Sequence, residues 1–218
     1  MLSKLPTEII CEIITVSNTF EDAYRLSCIF KLLSLTIRIL VKNFSISIDY
    51  LSKKGHIDAL ICLAKHNNKS FDYSEKAMDS ASGNGHVNVL DWWKLSGLEL
   101  KYSNRAISSA SKNGHFKVLD WWKQSCLQLK YSDCAMDEAS SNGYVNVLDW
   151  WKQSGLQLKY SYYAMDLASK NGHVNVLDWW KHSGLRLLYS KRAMDEASIN
   201  GYVNVLDWWK QSGLELIL

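Results

Sequence analysis

Five tryptophan pairs, Trp92-Trp93, Trp121-Trp122, Trp150-Trp151, Trp179-Trp180 and Trp208-Trp209, recur at a strict spacing of 29 residues. Around each stands one unit, Tyr-Ser-x-x-Ala-Met-Asp-x-Ala-Ser-x-Asn-Gly-His-Val-Asn-Val-Leu-Asp-Trp-Trp-Lys-x-Ser-Gly-Leu-x-Leu-Lys. It repeats with few changes over 73–101, 102–130, 131–159, 160–188 and 189–218. A unit this short cannot bury its own apolar face, so tandem copies stack on one another and build a solenoid.

Each unit reads as two helices. Ser74 is placed as an N-cap, a short helix is expected over 75–83, and Asn84-Gly85 forms a turn in which glycine tolerates positive φ. A second helix follows at 87–96 and stops at Gly97. No β-branched alternation interrupts the pattern, which excludes a propeller blade or β-solenoid. On a helical wheel Val89, Trp92, Trp93 and Ser96 share one side, flanked by Leu90, while Asn88, Asp91 and Lys94 fall opposite. Both tryptophans are therefore expected to pack against the neighbouring unit. A worn earlier copy precedes the five: Ile48 to Leu60 aligns with Met78 to Leu90, with one residue inserted near Asn67-Asn68 and Cys62-Leu63 where the tryptophans would stand.

Composition narrows the function. The chain is 47% hydrophobic and 22% charged, and its formal charge of +3 is spread too evenly to suggest a nucleic acid or an acidic membrane as partner. The apolar stretches Ile9 to Val16 and Leu32 to Val41 are broken by Glu12 and Arg38, and neither reaches the roughly 18 residues of a membrane span. Cys11, Cys28, Cys62, Cys126 and Cys134 form no CxxC pair and no repeated position, so neither disulfides nor a zinc site is expected. Reduced thiols and the absence of a signal-peptide pattern point to a cytoplasmic or nuclear protein.

The run Ala-Ser-x-Asn-Gly-His-x-x-Val-Leu-x-x-Trp-x-x-Ser-Gly resembles the ankyrin pattern Ala-Ala-x-x-Gly-His-x-x-Val-Val-x-x-Leu-Leu-x-x-Gly at the same spacing. The resemblance covers about 45–218 and implies an all-α, ankyrin-like solenoid: one degenerate unit at about 45–72, then the five. The unit is shorter than the usual ankyrin repeat of about 33 residues and lacks the Thr-Pro-Leu-His opening, so the projecting β-hairpin finger should be shortened or absent. The resemblance implies a protein-binding module without catalysis or cofactor.

Residues 1–44 carry a different pattern. Leu5-Pro6-Thr7-Glu8-Ile9, Ile13, and Arg25-Leu26-Ser27 with Lys31 resemble an F-box. In that family a short helical motif docks on the adaptor Skp1 and brings the target of a downstream repeat domain to a cullin ubiquitin ligase. Leu5, Pro6, Ile9, Ile13 and Leu26 match its docking positions, while the tryptophan usual near the motif's end is absent. The alternative is a helical cap over the first repeat, with no ligase link.

Four positions of the unit change strongly between copies: the pair after Tyr-Ser, the residue before Ala-Ser, and the residue after it. In chain order they are Glu75, Lys76, Ser80 and Gly83; Asn104, Arg105, Ser109 and Lys112; Asp133, Cys134, Glu138 and Ser141; Tyr162, Tyr163, Leu167 and Lys170; and Lys191, Arg192, Glu196 and Ile199. On the wheel they form one stripe opposite the constant alanines and methionine. In ankyrin-like stacks the first helix lines the concave side, so the resemblance implies a groove that binds a target protein, with Tyr162, Tyr163 and Leu167 its most apolar point. Drift on a solvated face is the competing account. Against it, the outer face of the second helix keeps its Asp and Lys constant.

Catalytic and metal chemistry find little support. His56, His86, His115 and His173 recur after the turn glycine, but Tyr144 and Tyr202 replace them in two units, which a zinc ligand does not allow. Asp79, Asp137, Asp166 and Asp195, with Ser108 in the second unit, read as supports for a turn or helix. A base-per-unit nucleic-acid reader would need a basic track, and Glu75, Asp133, Glu138 and Glu196 interrupt one. The apolar close Ile217-Leu218 leads to an expectation of either end-to-end self-association or an incomplete array.

Overall fold

The computed structural model describes residues 47–66 and 72–215. Leu5, Pro6, Ile9, Ile13 and Leu26, and the apolar close Ile217-Leu218, lie outside the described residues. Among those described, every regular element is a helix. α1 (Ile48–Lys54) and α2 (Ile57–His66) form the worn copy. Five pairs follow: α3 (Lys76–Gly83) and α4 (Val87–Leu95), α5 (Arg105–Lys112) and α6 (Phe116–Gln124), α7 (Cys134–Ser141) and α8 (Val145–Gln153), α9 (Tyr163–Lys170) and α10 (Val174–His182), α11 (Arg192–Ile199) and α12 (Val203–Gln211). No strand occurs in the described connectors.

The chain divides into two compact units, one of Met1–Ala81 with Asn88–Tyr102 and the other of Ser82–Val87 with Ser103–Leu218. In the first, Ser47 caps α1 by accepting from the Tyr50 amide, and Gly55 closes that helix at φ 74°. Trp93 is fully buried and donates its indole N–H to Ser52 Oγ at 3.1 Å. Tyr73 lays its ring 4.8 Å from that of Trp93. Asp49 of the worn copy accepts both the backbone N–H and the hydroxyl of Ser74, at 3.0 and 2.6 Å.

The second unit shows how one 29-residue sequence makes one structural step. Ser161 Oγ accepts from the Tyr163 amide at 3.1 Å, satisfying one of the amides left open at the start of α9. Gly172 then takes φ 80°, and the chain reverses into α10 with the His173 amide bonded back to Ala168 O at 2.9 Å. At the far end Ser183 Oγ donates to Trp180 O and accepts from the Leu185 amide, so a single hydroxyl ends the second helix and fixes the connector.

Packing follows side-chain size. Ala135, Ala139, Ala164 and Ala168 are buried on the first helices, and such small residues let α7, α9 and α11 lie close together. The second helices α8, α10 and α12 touch each other sparsely, because tryptophans and leucines hold them apart. The first helices are therefore the more closely packed side of this stack. Its core is a repeated set, Val147, Leu148 and Trp151 in one unit and Val176, Leu177 and Trp180 in the next, all nearly without solvent contact.

Candidate protein-recognition surface

The two members of each Trp-Trp pair do different jobs. The second tryptophan is buried, and its Nε1 donates to the serine on the first helix of the preceding unit: Trp122 to Ser82 at 3.0 Å, Trp151 to Ser111 at 3.2 Å, Trp180 to Ser140 at 3.0 Å, Trp209 to Ser169 at 3.0 Å. The first is only half-buried and meets its neighbour edge-on, ring planes 88° apart for Trp150 and Trp151. Its Nε1 donates to the aspartate of the preceding Asp-Trp-Trp: Trp150 to Asp120, Trp179 to Asp149 and Trp208 to Asp178, at 2.5 to 2.7 Å. The expectation that both tryptophans pack as core therefore holds fully only for the second. The aspartate that looked merely solvated is fixed by this bond, so its constancy no longer argues against drift on the first-helix stripe.

The helical aspartates act as forward clamps. Asp137 accepts the amide and hydroxyl of Ser161 at 2.9 and 2.6 Å, and Asp166 accepts those of Ser190 at 2.9 and 2.5 Å. Burial pushes both carboxyls above their ordinary value, and the serine hydrogen bonds pull partly the other way. The residue after the turn glycine is a packing element. A Cβ at Gly114 would stand 2.7 Å from the Tyr144 ring and one at Gly143 would stand 3.0 Å from the His173 ring, so imidazole and phenol alike cover the previous turn. Among the described residues no group of His, Cys, Asp and Glu is arranged to hold a metal ion.

The variable stripe separates into two classes. The pair after Tyr-Ser is exposed in every copy: Glu75 and Lys76, Asn104 and Arg105, Asp133 and Cys134, Tyr162 and Tyr163, Lys191 and Arg192. The other two positions meet across the junction between consecutive units. Gly83 is buried, and a Cβ there would come within 2.9 Å of Ser109 Cβ. Lys112 Nζ lies 3.2 Å from Glu138, and Lys170 Nζ lies 3.4 Å from Glu196. Ser141 takes the Asn171 side-chain amide on its carbonyl at 2.7 Å and on its hydroxyl at 3.0 Å. Ser80 and Leu167 are half-buried, and Ile199 is exposed. Much of the variation at these two positions is thus pairing between neighbours.

The pairing also alternates. The units with Lys112 and Lys170 carry His115 and His173 after the glycine, while those with Glu138 and Glu196 carry Tyr144 and Tyr202. Asn113 and Asn171 reach back to the carbonyls of Gly83 and Ser141, whereas Asn142 and Asn200 bond within their own units to Glu138 and Glu196. The sequence signal for this is a lysine in one unit matched by a glutamate 26 residues on.

The Tyr162–Tyr163 pair is the exposed aromatic point of the stripe. Each residue is 41% exposed, the ring centroids are 4.4 Å apart and the planes are tilted by 36°. The hydrogen bond to Tyr163 is the main cause that raises the Tyr162 hydroxyl above its ordinary pKa. An open cleft of about 570 Å³ lies on the Tyr162 side, and a smaller one of about 190 Å³ on the Tyr163 side.

These features define an all-helical tandem-repeat protein. Among the described residues no helix is long and apolar enough to cross a membrane. No protein-family model matches the chain. A stretch of 49 residues, 22% of the chain, is 45% identical to part of an uncharacterized protein of Acanthamoeba polyphaga mimivirus, and it spans 15% of that protein's length.

Proposed function

We propose that this chain is a protein-recognition module whose contact surface is the row of exposed residue pairs that opens α5, α7, α9 and α11, centred on Tyr162 and Tyr163. The observation that carries this reading is the exposure of two adjacent tyrosines at a pair of positions whose combination differs in every unit. Large aromatic side chains bring much apolar area at small entropic cost and anchor interfaces. The ankyrin-like pattern of the units supports the same reading. So does the engagement of the constant polar groups in stacking, which leaves the exposed pairs as the surface that distinguishes one copy from another.

The test is affinity purification with the intact protein and with Tyr162→Ala/Tyr163→Ala, both checked for helicity. Partners held by the first and lost from the second are expected; equal capture by both would remove the tyrosine-centred surface. The link to a ubiquitin ligase rests on the F-box-like residues Leu5, Pro6, Ile9, Ile13 and Leu26. Capture of Skp1 by the intact chain, abolished by Leu5→Ala with Pro6→Ala, is the result expected of it.

A further inference from the structure

We infer that the junction of the fourth and fifth units takes an extended peptide with acidic side chains next to an apolar one, an inference that rests on the recognition reading above. The tyrosine pair forms a ridge between two clefts. The larger is lined by Tyr160, Tyr162, Arg186 and Leu188, with Arg186 its only charge. The smaller is lined by Tyr163, Leu167 and four charged groups, Asp166, Lys170, Arg192 and Glu196.

The charges are not balanced in what they offer a ligand. Both carboxylates are engaged: Asp166 by Ser190, and Glu196 by Lys170. Arg186, Lys191 and Arg192 make no ion pair among the described residues, although Asp166 lies in the field of Arg192. Two guanidinium groups, Arg186 in the larger cleft and Arg192 in the smaller, stand on either side of the aromatic ridge and provide paired donors for carboxylates.

The corresponding cleft one unit earlier, about 590 Å³, argues for selectivity. It is lined by Tyr131, Asp133 and Lys159. Asp133 there would repel a carboxylate, and Lys159 is committed to the Tyr131 ring, 4.8 Å from its centroid. At the later junction Tyr162 replaces Asp133, Leu188 replaces Lys159, and Arg186 replaces Gln157. An acidic segment is therefore favoured at the junction of the fourth and fifth units and disfavoured at the junction before it. Aromatic rings beside cations also suit single-stranded nucleic acid, but the acids of neighbouring units, Asp133 and Glu138, interrupt a phosphate track.

The experiment is selection of a random peptide display library on the full chain. Enriched peptides are then measured as fluorescein-labelled synthetic probes by anisotropy. Enrichment of Glu or Asp beside Leu, Phe or Trp is expected, with affinity about tenfold weaker when the acids become Gln or Asn and falling as salt rises. Arg186→Glu with Arg192→Glu should abolish that preference, the fold being checked by circular dichroism. Enriched peptides without acids that still need Tyr162 and Tyr163 would overturn this inference and leave the recognition surface standing. Acidic peptides bound equally by Tyr162→Ala/Tyr163→Ala, or a library yielding no binder, would count against both. Preference for an oligothymidylate probe over every peptide would also overturn it.

Discussion

Lys112 reaches forward from the end of one first helix to place its ammonium 3.2 Å from the Glu138 carboxylate of the next unit. Both side chains are more than a third exposed, so solvent screens the pair and it contributes only about 0.2 to 1 kcal/mol. What it adds is order, because the match holds only when the two units are neighbours. Lys112→Glu should lower the melting temperature by bringing like charges together. Lys112→Glu with Glu138→Lys should restore most of the loss, measured as a double-mutant cycle. A cycle that is additive within error would show that the contact is incidental.

Trp151 and Ser111 form a buried bond whose loss leaves a polar atom stranded. Ser111→Ala should cost about 1 to 3 kcal/mol, since the Trp151 indole N–H would face no acceptor in a dry core. Trp151→Phe removes that donor, so adding Ser111→Ala to it should cost far less than it does alone. Urea unfolding of the four proteins decides the matter, and equal costs in both backgrounds would count against the bond.

For Asp137 and Asp166 the raised carboxyl values have a defined sign. A group that holds its proton longer in the folded state binds more protons there than in the unfolded chain. Its contribution to stability therefore falls as pH rises from the ordinary value of 3.8 through the folded one. Asp137→Asn with Asp166→Asn removes this titration. Over that acidic interval the stability of the double variant should decline less with rising pH than that of the parent. Parallel curves would contradict the assignment.

Cys126 occupies the helix-stop position at which the other units have glycine, and it is the only non-glycine residue with positive φ among those described, at 61°. A Cβ at Gly97, Gly155 or Gly184 would meet nothing within 4 Å, so the strain at Cys126 is in the backbone and not in a clash. Cys126→Gly should raise stability by up to about 1 kcal/mol, the relief being partly offset by a freer unfolded chain. A lower melting temperature would refute this.

Much of this architecture can be read from residues alone, for a local reason. Ser74, Gly85 and Gly97 act within a few residues of themselves, so the helices fall within one residue of the expected spans: 76–83 against 75–83, and 87–95 against 87–96. The worn copy was legible because Ser52 and Gly55 keep their places, and the Trp93–Ser52 bond absorbs the inserted residue at a separation of 41 instead of 40. What stayed hidden lies between units. Nothing near Asp120 signals that it accepts from Trp150, and Gly83 looks variable until Ser109 is set against it. Stripe positions chosen by a helical wheel mix side chains that face solvent with side chains that face the next copy, because a wheel contains no neighbour.

The alternation of Lys and Glu across successive junctions bears on how such an array changes length. Excision of the third unit alone would set Lys112 beside Leu167, whereas excision of the third and fourth together would set it beside Glu196 and keep the ion pair. The Trp-to-Ser bonds survive either cut, since every unit carries the same donor and acceptor. Growth and shrinkage by duplication or deletion should therefore be least disruptive in steps of two units, because 58 residues, not 29, is the step that keeps lysine facing glutamate.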